Sequence, residues 1–74
     1  MPLSLTERLV FKLLKIKEVL EMTSLSRTAH FLKLDKNSEY YDPTYPRPVK
    51  TGARSVGYVE QEVVDWVKAR MDER

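Results

Sequence analysis

Residues 16–34, IKEVLEMTSLSRTAHFLKL, limit the possible folds of this chain more than any other stretch. In the first half Ile16, Val19, Leu20 and Thr23 recur at intervals of three and four, which lines one side of a helix with its less polar groups. Lys17, Glu18 and Glu21 take the other side. Thr23-Ser24 then interrupts the pattern, Leu25 supplies an apolar plug, and Ser26 stands where a hydroxyl accepts a backbone N–H and starts a second helix. Two short helices joined by about four residues match the helix-turn-helix unit, whose second helix can enter the major groove of DNA. Arg27, Thr28, His30 and Lys33 are then the side chains on offer to base edges and phosphates. A purely structural helical hairpin fits the same pattern, so the rest of the chain has to decide.

Seventy-four residues make one small domain with a single core. There is no Cys and one His. Disulfides and thiolate metal sites are therefore excluded, and a metal site at His30 would need several carboxylates converging on it. No apolar run approaches the roughly 18 residues of a membrane span, and the N-terminus lacks a signal peptide's basic start and cleavage site. The expected location is the cytoplasm, with no membrane partner. Net charge is only +2, but it is unevenly spread: residues 1–54 hold ten Lys or Arg against six Asp or Glu, and residues 55–74 hold three against five. A basic front with an acidic tail suits a protein that turns one face to phosphates.

Residues 1–13 are expected to be an N-terminal arm and residues 14–74 the folded domain. Ser4-Leu5-Thr6-Glu7 fits a capping box, followed by a helical stripe of Leu5, Leu9, Val10 and Leu13. The alternative is an arm leading into a short extended piece at residues 11–16. Residues 35–48, with three prolines, an Asp-Pro pair and an Asn-Ser pair, predict a loop of fixed shape, because each X-Pro step drives the preceding residue into an extended conformation. Tyr40, Tyr41 and Tyr45 are many large rings for a linker, and at least one is expected to pack beneath the loop over the core.

Residues 49–58 alternate about a Gly-containing tip and predict a two-stranded ribbon. Val49, Val56 and Tyr58 are expected to face the core, and Gly52 to take the positive φ that hairpin turns often demand. Gly57 is expected to mark a bulge or a close backbone approach. Arg47, Lys50 and Arg54 cluster on or near the ribbon, with no acidic residue between Arg47 and Arg54. Residues 59–74 predict an amphipathic helix, with Val59, Val63, Trp66, Val67 and Arg70 on one side. Glu60 and Glu62 stand in its first turn and Lys68, Arg70 and Arg74 toward its end, the favourable order for the helix dipole. Trp66 is expected to anchor the core.

The stretches Leu14-Lys15-Ile16-Lys17-Glu18-Val19-Leu20-Glu21-Met22-Thr23, Leu25-Ser26-Arg27, Asp42-Pro43-Thr44-Tyr45-Pro46-Arg47-Pro48-Val49-Lys50, Gly52-Ala53-Arg54, Val56-Gly57-Tyr58 and Glu62-Val63-Val64-Asp65-Trp66 stand in an order and spacing that resembles the AlpA-like prophage regulators. These are small DNA-binding proteins related to phage excisionases. The resemblance implies an α+β, mostly helical fold, a winged helix-turn-helix of the MerR type: helix-turn-helix, β-hairpin wing and C-terminal helix. It implies control of prophage genes and assistance to an integrase in excision by bending DNA. It also places Ser26, Arg27 and Thr28 at the start of the recognition helix, Arg54 in the wing, and Val63 and Trp66 in the core. The resemblance, rather than local propensity, favours the arm and the extended piece at residues 11–16. The chain departs from the family pattern at Thr28-Ala29-His30-Phe31-Leu32. Either His30 takes a core position that an aliphatic residue usually fills, or Leu25, Ala29 and Leu32 form the inward stripe and His30 faces out. The second alternative is preferred, and it leaves Phe31 without a role.

The expected function is sequence-specific binding of double-stranded DNA by a regulator of prophage or mobile-element genes or excision. Lys15 or Lys17, Lys33, Lys50 and Arg54 would hold phosphates, with Ser26 at the helix start and Arg27, Thr28 and His30 reading bases. Useful specificity from so small a module calls for a homodimer, cooperative assembly on DNA or a partner protein. If His30 reads DNA, acidification should strengthen binding. The alternative is an interaction adaptor on the same scaffold that binds an integrase or another regulator through Tyr40, Tyr41, Phe31 and Leu34. An enzyme is not expected, and neither a cofactor nor a metal is implied.

Overall fold

A computed structural model describes residues 12–74. The capping box at Ser4 and the stripe of Leu5, Leu9 and Val10 lie outside the described residues. The elements run β1 (Leu13–Leu14), α1 (Ile16–Thr23), α2 (Arg27–Leu34), β2 (Val49–Lys50), β3 (Val56–Val59) and α3 (Glu60–Asp72). This is a mostly helical α+β fold, a winged helix-turn-helix.

Short-range chemistry sets the ends of the first two helices. The Glu18 carboxylate accepts the Lys15 N–H (3.1 Å), which satisfies a backbone donor just ahead of α1. At the other end Thr23 Oγ1 donates to the Val19 carbonyl (2.9 Å), and Ser24 turns the chain in the left-handed region (φ 59°, ψ 26°). Ser26 Oγ then accepts the Ala29 N–H (3.1 Å) and opens α2, as its position in the sequence predicts.

The expected two-stranded ribbon is the larger part of a three-stranded antiparallel sheet, in the order β1-β3-β2. Leu13 pairs with Val59 and Leu14 with Tyr58 on one edge of β3, and Val49 pairs with Gly57 and Lys50 with Val56 on the other. The extended piece expected around residues 11–16 supplies β1. The Lys12 carbonyl accepts the Glu60 N–H (2.9 Å), so the folded unit reaches ahead of residue 14. Gly57 is a close approach: a Cβ there would lie 3.2 Å from Leu13 Cβ and 3.4 Å from Thr51 Cγ2.

Two expectations for the hairpin are corrected. Gly52 does not take a positive φ; among the described residues only Ser24 does. Val56 does not face the core but is 52% exposed, because it lies opposite Lys50 at the tip end of β3, beyond the cover of the helices.

The core consists of Leu14, Val19, Tyr58 and Val63, with Ile16 packed against it. α1 and β3 both pack on α3, which encloses Val19 and Val63 completely. Tyr45 and Trp66 extend the core under the loop at residues 35–48, so a tyrosine does cover it as expected. The loop is a chain of tight turns. Side-chain oxygens of Asp35, Ser38 and Asp42 each accept the N–H two residues on, from Asn37, Tyr40 and Thr44. Asp42 then ties the loop to α3: its Oδ2 accepts the Trp66 indole N–H (3.1 Å) and meets the Arg70 guanidinium (3.5 Å).

Candidate nucleic-acid interface

With Ser26 as its cap, α2 begins at Arg27 and places Arg27 and Thr28 in its first turn, both exposed. Which side of the helix faces the core is decided at His30, which is fully buried. Its Nδ1 lies 2.5 Å from the Tyr45 hydroxyl and its Nε2 3.0 Å from the Tyr58 hydroxyl. A neutral imidazole has one N–H donor and one acceptor nitrogen, so one phenol receives a hydrogen bond and the other donates one. Both polar atoms of the ring are thereby satisfied, which removes most of the penalty for burying it. Burial, and then the charge of Arg27, lower the His30 pKa, which keeps the ring neutral. Burial also raises the Tyr58 pKa and pushes that of Tyr45 up to about 12, so both phenols stay protonated.

His30 is therefore corrected: it faces inward and presents nothing to a base edge. The preferred stripe of Leu25, Ala29 and Leu32 gives way with it, because Leu32 stands two residues from His30 and so on nearly the opposite side of the helix. These three residues line an open hollow of about 410 Å³ with Tyr40 beside it. Lys33 is likewise turned back on the fold, its Nζ 5.5 Å above the centre of the Trp66 ring and its carbonyl accepting the Asp42 N–H (3.0 Å).

Arg27, Thr28 and Phe31 remain on the outer side of α2, and Phe31 is half exposed. Lys17 is exposed on α1, and the hairpin carries exposed Lys50 on β2 and exposed Arg54 in its tip. The tip is closed by the Thr51 N–H donating to the Ser55 carbonyl (3.0 Å), which projects Gly52, Ala53 and Arg54 beyond the sheet. Arg47, at the entrance to β2, donates to the Tyr41 hydroxyl, and its guanidinium carbon lies 5.4 Å from the centre of that ring.

The ion pairs show which cations are already engaged. Among the described residues, Lys12 pairs with Glu60 (3.4 Å) and Arg70 with Asp42 and Glu73 (3.5 and 2.7 Å), whereas Lys17, Arg27, Lys50 and Arg54 have no carboxylate within 4.0 Å. A hydroxyl-capped helix start with a free Arg, and a hairpin with two free cations, offer donors for phosphate oxygens and for base acceptors.

Sequence reasoning missed Tyr45 and Tyr58 as the partners of His30, and Asp42 as the tie between loop and helix. The available signal was the presence of several tyrosines in a chain with a single His, since phenols can satisfy both ring nitrogens. Among the described residues no helix is long and apolar enough to cross a membrane.

The family model described as prophage CP4-57 regulatory protein (AlpA) matches residues 12–71. A curated relative, the DNA-binding transcriptional activator AlpA of Escherichia coli (strain K12), is 29% identical over 66 residues, which span 89% of this chain and 94% of the relative. No solved structure matches the chain.

Proposed function

Because this chain belongs to the AlpA family of prophage regulatory proteins, we propose that it binds double-stranded DNA sequence-specifically and regulates prophage or mobile-element genes, with assistance to an integrase in excision as a second output of the same binding. The observation that carries this reading is the set of free cations: Arg27 at the start of α2 and Lys50 and Arg54 on the hairpin, each without an ion-pair partner among the described residues. Arg27 and Thr28 read base edges, with Ser26 fixing the start of the helix that carries them. Lys17, Lys50 and Arg54 hold phosphates, with the hairpin as the wing. Lys33 belongs to the packing around Trp66, and His30 to the core. The protein acts by binding, without catalysis, and the small reading surface calls for more than one copy or a partner on the DNA.

A titration against random duplex at several salt concentrations tests this reading. Affinity should fall steeply with salt, and Arg54→Ala should weaken binding and make the log–log slope shallower by about one. Absence of binding at low salt would overturn the reading and favour an interaction adaptor, for which half-exposed Phe31 and exposed Tyr40 would provide the contact surface.

A further inference from the structure

Phe31 is a large apolar side chain left half exposed on the recognition helix, whereas Tyr45, Tyr58 and Trp66 are almost completely buried. It lies four residues from Arg27 and three from Thr28, the spacings that make neighbours on a helix surface. Its ring rests against a core group. It meets the His30 ring edge-on, with centroids 5.0 Å apart and planes at 86°, and His30 is itself held at both nitrogens by Tyr45 and Tyr58. The side chain is thus positioned from below by a locked core group and open to solvent above.

We infer that Phe31 is a specificity-determining residue that reads thymine through its 5-methyl group in the major groove. The inference rests on the DNA-binding reading above. Thymine is the one standard base that shows a methyl group in the major groove, and an aromatic ring held beside an Arg and a Thr matches that edge with an apolar contact. A ring with no polar atom cannot hydrogen-bond to phosphates or to other base edges. Its contribution is therefore selective for the methyl and insensitive to salt, in contrast to that of Arg54.

The experiment selects tight-binding duplexes from a random pool with the full chain, then remakes the best duplex with deoxyuridine replacing thymidine one position at a time. Removing the methyl that Phe31 covers should weaken binding about fourfold, the value of one methyl-sized group removed from water. The same replacement should leave Phe31→Ala unaffected, because that variant has already lost the contact. The ring is half exposed, so Phe31→Ala should keep the wild-type melting temperature within a few degrees, and the deoxyuridine series on the unmodified protein reads the effect without any variant. If no single replacement changes affinity, or if the loss persists in Phe31→Ala, the inference is overturned while DNA binding stands. If no duplex is enriched and low-salt binding is absent, the DNA-binding reading fails and this inference fails with it.

Discussion

The two sides of α2 are built on opposite terms. On the inner side every polar group is engaged: His30 is bonded at both nitrogens, and Lys33 is held over Trp66. On the outer side Arg27 and Thr28 are exposed, Arg27 has no ion-pair partner among the described residues, and Phe31 leaves half its surface to solvent. One eight-residue helix therefore carries a locked, buried face and an open, exposed one. A polar residue in such a helix is informative only when its partners are known. His30 and Arg27 both look like DNA contacts in the sequence, yet only Arg27 is free.

The same contrast separates α3 from the hairpin. Arg70 is engaged by Asp42 and Glu73 and stacks 5.1 Å over Trp66, where it helps hold the loop at residues 35–48. Burial acts to raise the Asp42 pKa, but hydrogen bonds from the Thr44 hydroxyl, Trp66 and the Thr44 N–H, together with the Arg70 charge, outweigh it and lower the value. Arg54 at the hairpin tip has no ion-pair partner among the described residues.

The largest expected effect falls on the inner side of α2. His30→Ala should cost about 2–4 kcal/mol, because it leaves a cavity and deprives two buried phenols of their partner. Denaturant unfolding measures it, and a loss under about 1 kcal/mol would mean that the inner side is not locked as described.

Acidification should act next, through the same residue. The His30 pKa is lowered from its ordinary 6.5 in the folded state, so as pH falls through 6.5 the unfolded chain takes up a proton that the folded chain refuses. Stability should therefore be fully present above that range and decline below it, by at most about 1.4 kcal/mol per pH unit. A flat unfolding midpoint between neutral and mildly acidic pH would contradict this. The direction is opposite to that expected for a His that gains a phosphate contact, and the part contributed by Asp42 belongs to a separate window below pH 3.8.

The smallest effect on stability is expected on the outer side. Arg27→Ala should change the unfolding free energy by less than about 0.5 kcal/mol while weakening DNA binding. Because the Arg27 charge helps to hold the His30 pKa down, the same substitution should also make the acid-induced decline slightly shallower. If it destabilised the fold as much as His30→Ala, the division between the two sides would not hold.

Much of the architecture was legible in the chain itself. The Ser26 cap, the interruption at Ser24, the loop built from Asp, Ser and Pro turns, the tight approach at Gly57 and the helix that carries Val63 and Trp66 all depend on groups a few residues apart, or on a periodicity that one segment contains. The same local signals placed Arg27, Thr28, Lys50 and Arg54 on exposed surfaces. Tertiary structure alone decided the register of α2, the pairing of the extended Leu13-Leu14 piece with β3, the outward turn of Val56 and the engagement of Lys33 with Trp66. The reason is clearest at His30. Local pattern sees an ionisable ring among aliphatic residues and turns it outward, since an unpartnered polar group is costly to bury. Its two partners lie 15 and 28 residues along the chain, and only the closed fold brings Tyr45 and Tyr58 to its nitrogens.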